Sequence, residues 1–228
     1  FEYLLSDVKD HNYQIIIETN RGCPFLCTYC YWGKGGNTIK YRFHSLDRIF
    51  AEIDWVSRKK IQYLFNADSN FGMHRRVIKI AEKLIKTKCD ILILEGWCVG
   101  AIAQTSSELK RPVNHLEEVE DPLGIWRSFV NTELAGDYQT LFDKIDYRIM
   151  LKAPSFDCVY QWRLEQEHKL AQKALKDSDG VMSDEEVANF VQHYQRITEH
   201  ALSHLPEKCD TVFYLDETRT ITKQDVKR

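Results

Sequence analysis

No stretch of the 228 residues is apolar for long enough to span a membrane, and the opening Phe1-Glu2-Tyr3 has neither a basic n-region nor a signal-like apolar core. Those absences exclude a helical membrane anchor and a secretory leader from the reading, and the expectation is a cytoplasmic chain. An initiator methionine is missing as well, which is read as a cut amino terminus. Lysine and arginine form no stripe with interleaved aromatics, so nucleic acid is not an expected partner. No G-x-x-x-x-G-K-[ST] run occurs. The nearest glycine cluster, Gly33-Lys34-Gly35-Gly36-Asn37, has neither the spacing nor the terminal Gly-Lys-Ser that cradles nucleotide phosphates.

What is present fits a globular protein of one or two domains, at 43% hydrophobic and 29% charged residues. The overall charge of −3 is unevenly spread: residues 1–86 carry a net +5 and residues 87–228 a net −8. Such a step points to two segments of different origin meeting near Lys86. Of seven cysteines, three are clustered, which argues for a reducing compartment and metal chemistry over a disulfide framework. Cys89, Cys98, Cys158 and Cys209 stand singly among apolar residues and read as small core residues.

Residues 14–19 are a short β-branched run ending in turn-forming Asn20 and Gly22, a buried strand. From Leu46 to Lys59 apolar residues recur at a helical period behind the cap candidate Ser45. A second strand is expected over Ile61–Ala67 and a second amphipathic helix over Arg75–Lys86. This β–loop–α–β–α order describes two units of a parallel α/β barrel, with chemistry above the strand ends.

At the first strand end lies Cys23-Pro24-Phe25-Leu26-Cys27-Thr28-Tyr29-Cys30. Three thiolates in C-x3-C-x2-C spacing can hold three irons of a [4Fe–4S] cluster, leaving one iron open to a small molecule. A structural zinc site or unrelated buried thiols are the plainer alternatives; zinc loops favour C-x2-C pairs with a second pair downstream. The run resembles the cluster loop of radical S-adenosylmethionine (SAM) enzymes. Glu18-Thr19-Asn20-Arg21-Gly22 before it and Asn66-Ala67-Asp68-Ser69-Asn70-Phe71-Gly72 after the second strand resemble the cobalamin-associated subgroup. The resemblance covers residues 1–86. It implies a [4Fe–4S] cluster on Cys23, Cys27 and Cys30, with Tyr29 near the adenine of SAM and Asp68 and Asn70 as polar contacts. An acid closing a strand also commonly just caps the next turn, which is the plainer reading of Asp68.

Past Lys88 the pattern changes. Asp90-Ile91-Leu92-Ile93-Leu94-Glu95-Gly96-Trp97 reads as an apolar strand tipped by an acid, where a phosphoryl-transfer enzyme holds Mg²⁺ or its water. Tyr147–Lys152 and Thr211–Leu215 are further strands, and Phe156–Leu175 and Glu185–Leu202 are helices, the second capped by Ser183 with Glu186 three residues on. Glu95-Gly96-Trp97-Cys98-Val99-Gly100, Pro112-Val113-Asn114, Glu120-Asp121-Pro122, Ile149–Pro154, Val159–Glu167 and Val191–Arg196 resemble the glycerate kinase family of P-loop kinases. This similarity runs from about Cys89 to Thr222. It implies Mg-ATP, a small hydroxy acid as phosphoryl acceptor, Glu95 near the metal or nucleophile, and Arg163 on the phosphates from a lid helix. The plainer reading of Arg163 is an i,i+4 salt bridge to Glu167. His193, Tyr194 and Arg196 either face substrate or pack, and Trp97, Trp126 and Trp162 read as core or pocket wall.

The expected fold is α/β: a parallel sheet flanked by helices, with partial radical SAM barrel units over 1–87. These join the carboxyl-terminal half of a doubly wound P-loop kinase fold over 88–228. The expected function is a chimeric or fused chain, incomplete for either reaction alone, acting on small molecules and needing a partner chain or further sequence for a phosphate loop. A non-catalytic α/β binding or scaffold protein that keeps these motifs as remnants is the alternative.

Overall fold

The computed structural model describes residues 14–22, 42–59, 61, 63–68, 71, 74–87, 91–173 and 181–227. Cys23, Cys27, Cys30, Tyr29, Asn70, Cys89 and the glycine cluster 33–37 lie outside these. The chain is α/β and divides into two compact units, Phe1–Ile93 and Leu94–Arg228. No helix among the described residues is long and apolar enough to cross a membrane.

In the first unit, strand β1 (Gln14–Ile17) pairs in parallel with β4 (Tyr63–Asn66), Ile15 opposite Leu64 and Ile17 opposite Asn66. Between them a two-residue pair, β2 (Asn20–Arg21) with β3 (Arg42–Phe43), runs antiparallel. Helix α1 (Leu46–Arg58) makes the crossover of this βαβ unit, and α2 (Arg76–Lys86) follows β4. Ser45 starts α1 as its sequence predicts, its hydroxyl accepting from the Arg48 N–H at 3.3 Å. The period-3.6 stripe buries Ile49, Ile53 and Val56, and a core of Ile17, Ile49, Ile53 and Ile80 forms where strand, α1 and α2 meet. Alternation along the strands leaves Ile16, Tyr63 and Phe65 more than half exposed on the other face. A two-unit parallel arrangement is thus present; the described residues form no barrel.

The second unit begins with little regular structure. A 3₁₀ turn (Glu108–Lys110) leads to α3 (His115–Glu120) and α4 (Ile125–Glu133), then a π-helical turn (Leu134–Tyr138) and α5 (Gln139–Phe142). Strand β5 (Ile149–Lys152) pairs in parallel with β6 (Thr211–Leu215), and β7 (Ile221–Val226) adds antiparallel to β6. Helices α6 (Phe156–Lys173) and α7 (Asp184–His204) make the crossover from β5 to β6. Met150, Ala201, Leu205, Cys209 and Val212 form the core beneath the sheet. Cys209 is thus a core residue as expected, while Cys98 and Cys158 are half-buried.

Two features depart from the sequence reading. Residues 91–96 form no strand, and Ile91 and Ile93 are 77% and 83% exposed. β-branched propensity becomes a strand only against a sheet edge, and this run joins no ladder among the described residues. The β6–β7 hairpin is the second. Its turn is built by Asp216, whose Oδ1 accepts from the Thr218 and Thr220 N–H groups at 2.8 and 2.9 Å, with Arg219 in the left-handed region at φ 70°.

The capping box at α7 is complete: Ser183 Oγ accepts from Glu186 N–H, and Glu186 Oε2 accepts from Ser183 N–H at 2.7 Å. Ser183→Ala should therefore cost about 1 kcal/mol, read as a lower urea midpoint with an unchanged slope.

Candidate functional site

Two places in the molecule gather polar chemistry, one in each unit. In the first, the carboxyl ends of β1 and β4 are locked by one side chain. Asp68 Oδ1 accepts from the Thr19 and Asn20 backbone N–H groups at 2.5 and 3.1 Å; its Oδ2 accepts from the Asn20 amide at 2.9 Å and from the Thr19 hydroxyl. A carboxylate has about four acceptor sites, and all are taken. Thr19 and Asn20 are almost fully buried, so the clamp satisfies backbone donors that water does not reach. Asn20 Oδ1, by contrast, is buried without a hydrogen-bond partner among the described residues.

The clamp fixes the chain where it enters the cysteine run. Gly22 takes φ 88°, open to glycine at no steric cost, and the β2–β3 pair closes the base of the segment between Gly22 and Arg42. His44 N–H donates to Thr19 O at 3.1 Å and holds the returning strand. The three clustered cysteines therefore belong to a segment whose two ends are fixed side by side at the carboxyl edge of a parallel pair. That is where α/β sheets place ligands.

In the second unit a cavity of about 190 Å³ lies among residues 102–104, α3, α4 and α7. Leu116, Trp126, Val130, Leu134 and Ile197 supply apolar wall, with His193 at the edge. Drug-sized ligands occupy roughly 300–1,000 Å³, so this space suits a smaller molecule. Its charged wall residues are paired inside the protein. Asp121 caps α4, accepting from the Trp126 and Arg127 N–H groups at 3.0 and 3.1 Å, and Arg127 Nη1 donates back to Asp121 Oδ2 at 3.1 Å. Arg127 Nε donates to Leu109 O at 2.7 Å. Gly124 precedes α4 at φ 70°, a conformation that favours glycine, and a Cβ there would crowd the Arg127 guanidinium at 3.0 Å. Burial pushes the Asp121 carboxyl up, but the two backbone N–H groups and the Arg127 charge outweigh it and hold it below the usual carboxylate range.

Arg196 forms the facing wall. Nε and Nη2 donate to Glu117 Oε1 and Oε2 at 2.7 and 2.6 Å, a bidentate fork. Nearby, Asn131 and Gln104 exchange two bonds, at 2.6 and 3.0 Å. Asn114 caps α3 and also donates to Gln192 O on α7 at 2.9 Å.

The two residues expected to act in phosphoryl transfer are not brought to this cavity. Glu95 is exposed within the irregular 91–96 segment. Arg163, on α6, ion-pairs with Glu167 Oε2 at 2.6 Å, with side-chain exposures of 10% and 1%. The i,i+4 pair is thus present, but buried and not on the surface. Of the α7 trio, His193 and Arg196 line the cavity, whereas Tyr194 meets Trp97 edge-on at 5.1 Å. Trp126 is pocket wall; it and Trp97 are more than half exposed, so neither is core. The Asp121–Arg127 and Glu117–Arg196 pairs carry no local sequence signal. Asn114 with Glu117 three residues on is a cap signal for α3 that sequence reasoning could have found.

No family model matches the chain. A stretch of 105 residues, 45% of the chain, is 42% identical to the uncharacterized kinase mug58 of Schizosaccharomyces pombe and spans 35% of that protein. Another alignment, over 74 residues or 32% of the chain, is 36% identical to the cobalamin-dependent radical SAM methyltransferase TokK of Streptomyces tokunonensis, spanning 11% of it. Among solved structures, a D-glycerate 3-kinase from Cryptococcus neoformans superposes with a TM-score of 0.47 at 23% identity, over 61% of this chain and 50% of that one. The chain is thus similar in part to a kinase and in part to a radical SAM methyltransferase. It spans only about a third of the one and about a tenth of the other.

Removing the clamp in Asp68→Ala leaves buried N–H groups without an acceptor. It should destabilise the first unit by about 1–3 kcal/mol, with faster amide exchange at Thr19 and Asn20. The depressed Asp121 gives stability that is full above the ordinary aspartate value near 4 and is lost as pH falls through its lower folded value. Asp121→Asn should therefore flatten the acid limb of the thermal midpoint below about pH 4, relative to wild type.

Proposed function

We propose that residues 1–87 are a [4Fe–4S]- and SAM-binding segment of radical SAM type. In this reading residues 88–228 are the carboxyl-terminal part of a glycerate kinase-type phosphotransferase, and the two are fused in one chain. The observation that carries the first half is the C-x3-C-x2-C run in a segment pinned at both ends by the β2–β3 pair and the Asp68 clamp. Three soft thiolates suit three irons, so the donor set fits the group. Cys23, Cys27 and Cys30 would hold it. When bound, such a cluster supplies the electron that reduces SAM.

The chain's own contribution is positional. Thr19, Asn20 and Asp68 fix the strand ends, with Asp68 acting through them more than as a free acceptor. Asn20 Oδ1, Tyr29 and Asn70 are the remaining groups we assign to contacts with SAM. Substrates of this half are small molecules, with no nucleic acid or membrane in the reading.

The second half does not fit Mg-ATP by itself. It has no G-x-x-x-x-G-K-[ST] loop, and its cavity charges are already paired. A partner chain or sequence outside these residues would have to bring the phosphate loop. Only then would Glu95 act near the metal and Arg163 exchange Glu167 for phosphate. The internal pairing of the cavity wall favours a second reading, in which residues 88–228 are a non-catalytic α/β binding scaffold.

Anaerobic reconstitution of the chain with ferrous iron and sulfide tests the first half. Wild type should turn brown, with broad iron–sulfur charge-transfer absorption, and Cys27→Ala should remain colourless. A colourless wild type, or an equally brown variant, would sink the assignment. For the second half, ATP titration should give a Kd no tighter than about 1 mM, about −4 kcal/mol. Micromolar binding would mean that a phosphate site exists without the loop.

A further inference from the structure

At the carboxyl end of α7, His200 and His204 are four residues apart and share one helix face. Glu108, from the 3₁₀ turn, stands opposite. One ligand atom from each of the three lies within 4.8 Å of the others. The hydrogen bonds around them leave the right atoms available. His204 Nδ1 is 3.0 Å from the His200 carbonyl oxygen, which can only accept. The proton therefore sits on Nδ1, and Nε2 keeps its lone pair. Glu108 Oε2 accepts from the Thr105 N–H and hydroxyl at 2.7 and 2.6 Å, leaving Oε1 facing His200 Nε2 at 3.7 Å.

The two rings stack at 4.2 Å between centroids, 28° apart, an arrangement suited to neutral imidazoles. The Arg196 charge nearby is taken up by its fork to Glu117.

We infer that Glu108, His200 and His204 form a binding site for a divalent transition-metal ion, zinc by preference. Two imidazoles and one carboxylate without sulfur are a borderline donor set that suits zinc, and three protein ligands leave a fourth position for water. A tetrahedral zinc with bonds near 2.0–2.1 Å needs its ligands about 3.3 Å apart. Glu108 and His204 are both exposed, so rotating these two side chains closes the gap without disturbing the core. The metal would tie the 3₁₀ turn to α7 beside the cavity that His200 also lines. This site is independent of the cysteine run and of the function proposed above.

Cobalt(II), as a spectroscopic stand-in for zinc, tests it on the metal-stripped full chain carrying Cys23→Ser, Cys27→Ser and Cys30→Ser, so that no clustered thiolate competes for the ion. The expected result is one equivalent of cobalt giving visible ligand-field bands without thiolate charge transfer, chased by added zinc. His204→Ala and Glu108→Gln should each weaken that binding at least about tenfold. His204 is exposed, and unchanged far-ultraviolet dichroism checks that its variant is folded. Absence of the band, a band only with thiolate charge transfer, or wild-type affinity in His204→Ala would each overturn the site.

Discussion

The guanidinium of Arg196 is where the second unit is held together. It has five N–H donors, and all five are used: Nε on Glu117, Nη1 on the Gln104 side chain and Glu108 carbonyl, Nη2 on Glu117 and the Arg111 carbonyl. Residues 104–117 have almost no ladder or helix of their own to organise them. A buried cation reaching four of their residues replaces that missing regular structure. It sets the wall of the cavity and brings the Glu108 turn against α7. Removing one partner of so deeply buried a pair typically costs about 3–5 kcal/mol, because the other charge is then left uncompensated.

Asp68 follows the same rule in the first unit with the opposite sign of charge. Four donors fill its acceptor sites, and the two parallel strand ends are joined through it. In both places the hydrogen-bonding capacity of a charged side chain is filled, buried at Arg196 and half-buried at Asp68. Both residues belong to motifs whose similarity to enzymes suggests direct contact with ligand. Their geometry instead makes them supports for neighbours that could make such contacts: the cysteine run in one unit, the cavity lining in the other.

What the sequence made legible was local. Helix α1 behind Ser45 and α7 behind Ser183 and Glu186 were readable because cap and apolar period lie within a few residues of each other. The parallel β1–β4 pair was readable because its crossover helix lies between the strands. The run 91–96 was misread for the converse reason, since strand formation depends on a distant edge that composition does not reveal. The cavity was invisible altogether. Its defining contacts, Glu117 with Arg196 and Asn114 with Gln192, join residues nearly eighty positions apart.

Arg163 is held by charge: its guanidinium ion-pairs with Glu167 at 2.6 Å, and both side chains are buried. In the kinase-like reading it must leave Glu167 to reach a phosphate. Glu167 is 1% exposed, and its other oxygen already accepts from the Met182 N–H at 2.8 Å. Withdrawing the guanidinium would strand a carboxylate with no access to water, at a cost of about 3–5 kcal/mol. A charge-assisted hydrogen bond to phosphate returns about 1.5–3 kcal/mol. A single such bond therefore does not favour release; a bidentate contact is needed to balance it. The buried pair thus sets a threshold: Arg163 stays on Glu167 unless an anion is presented with enough other contacts to hold it, which is the role a phosphate loop would fill.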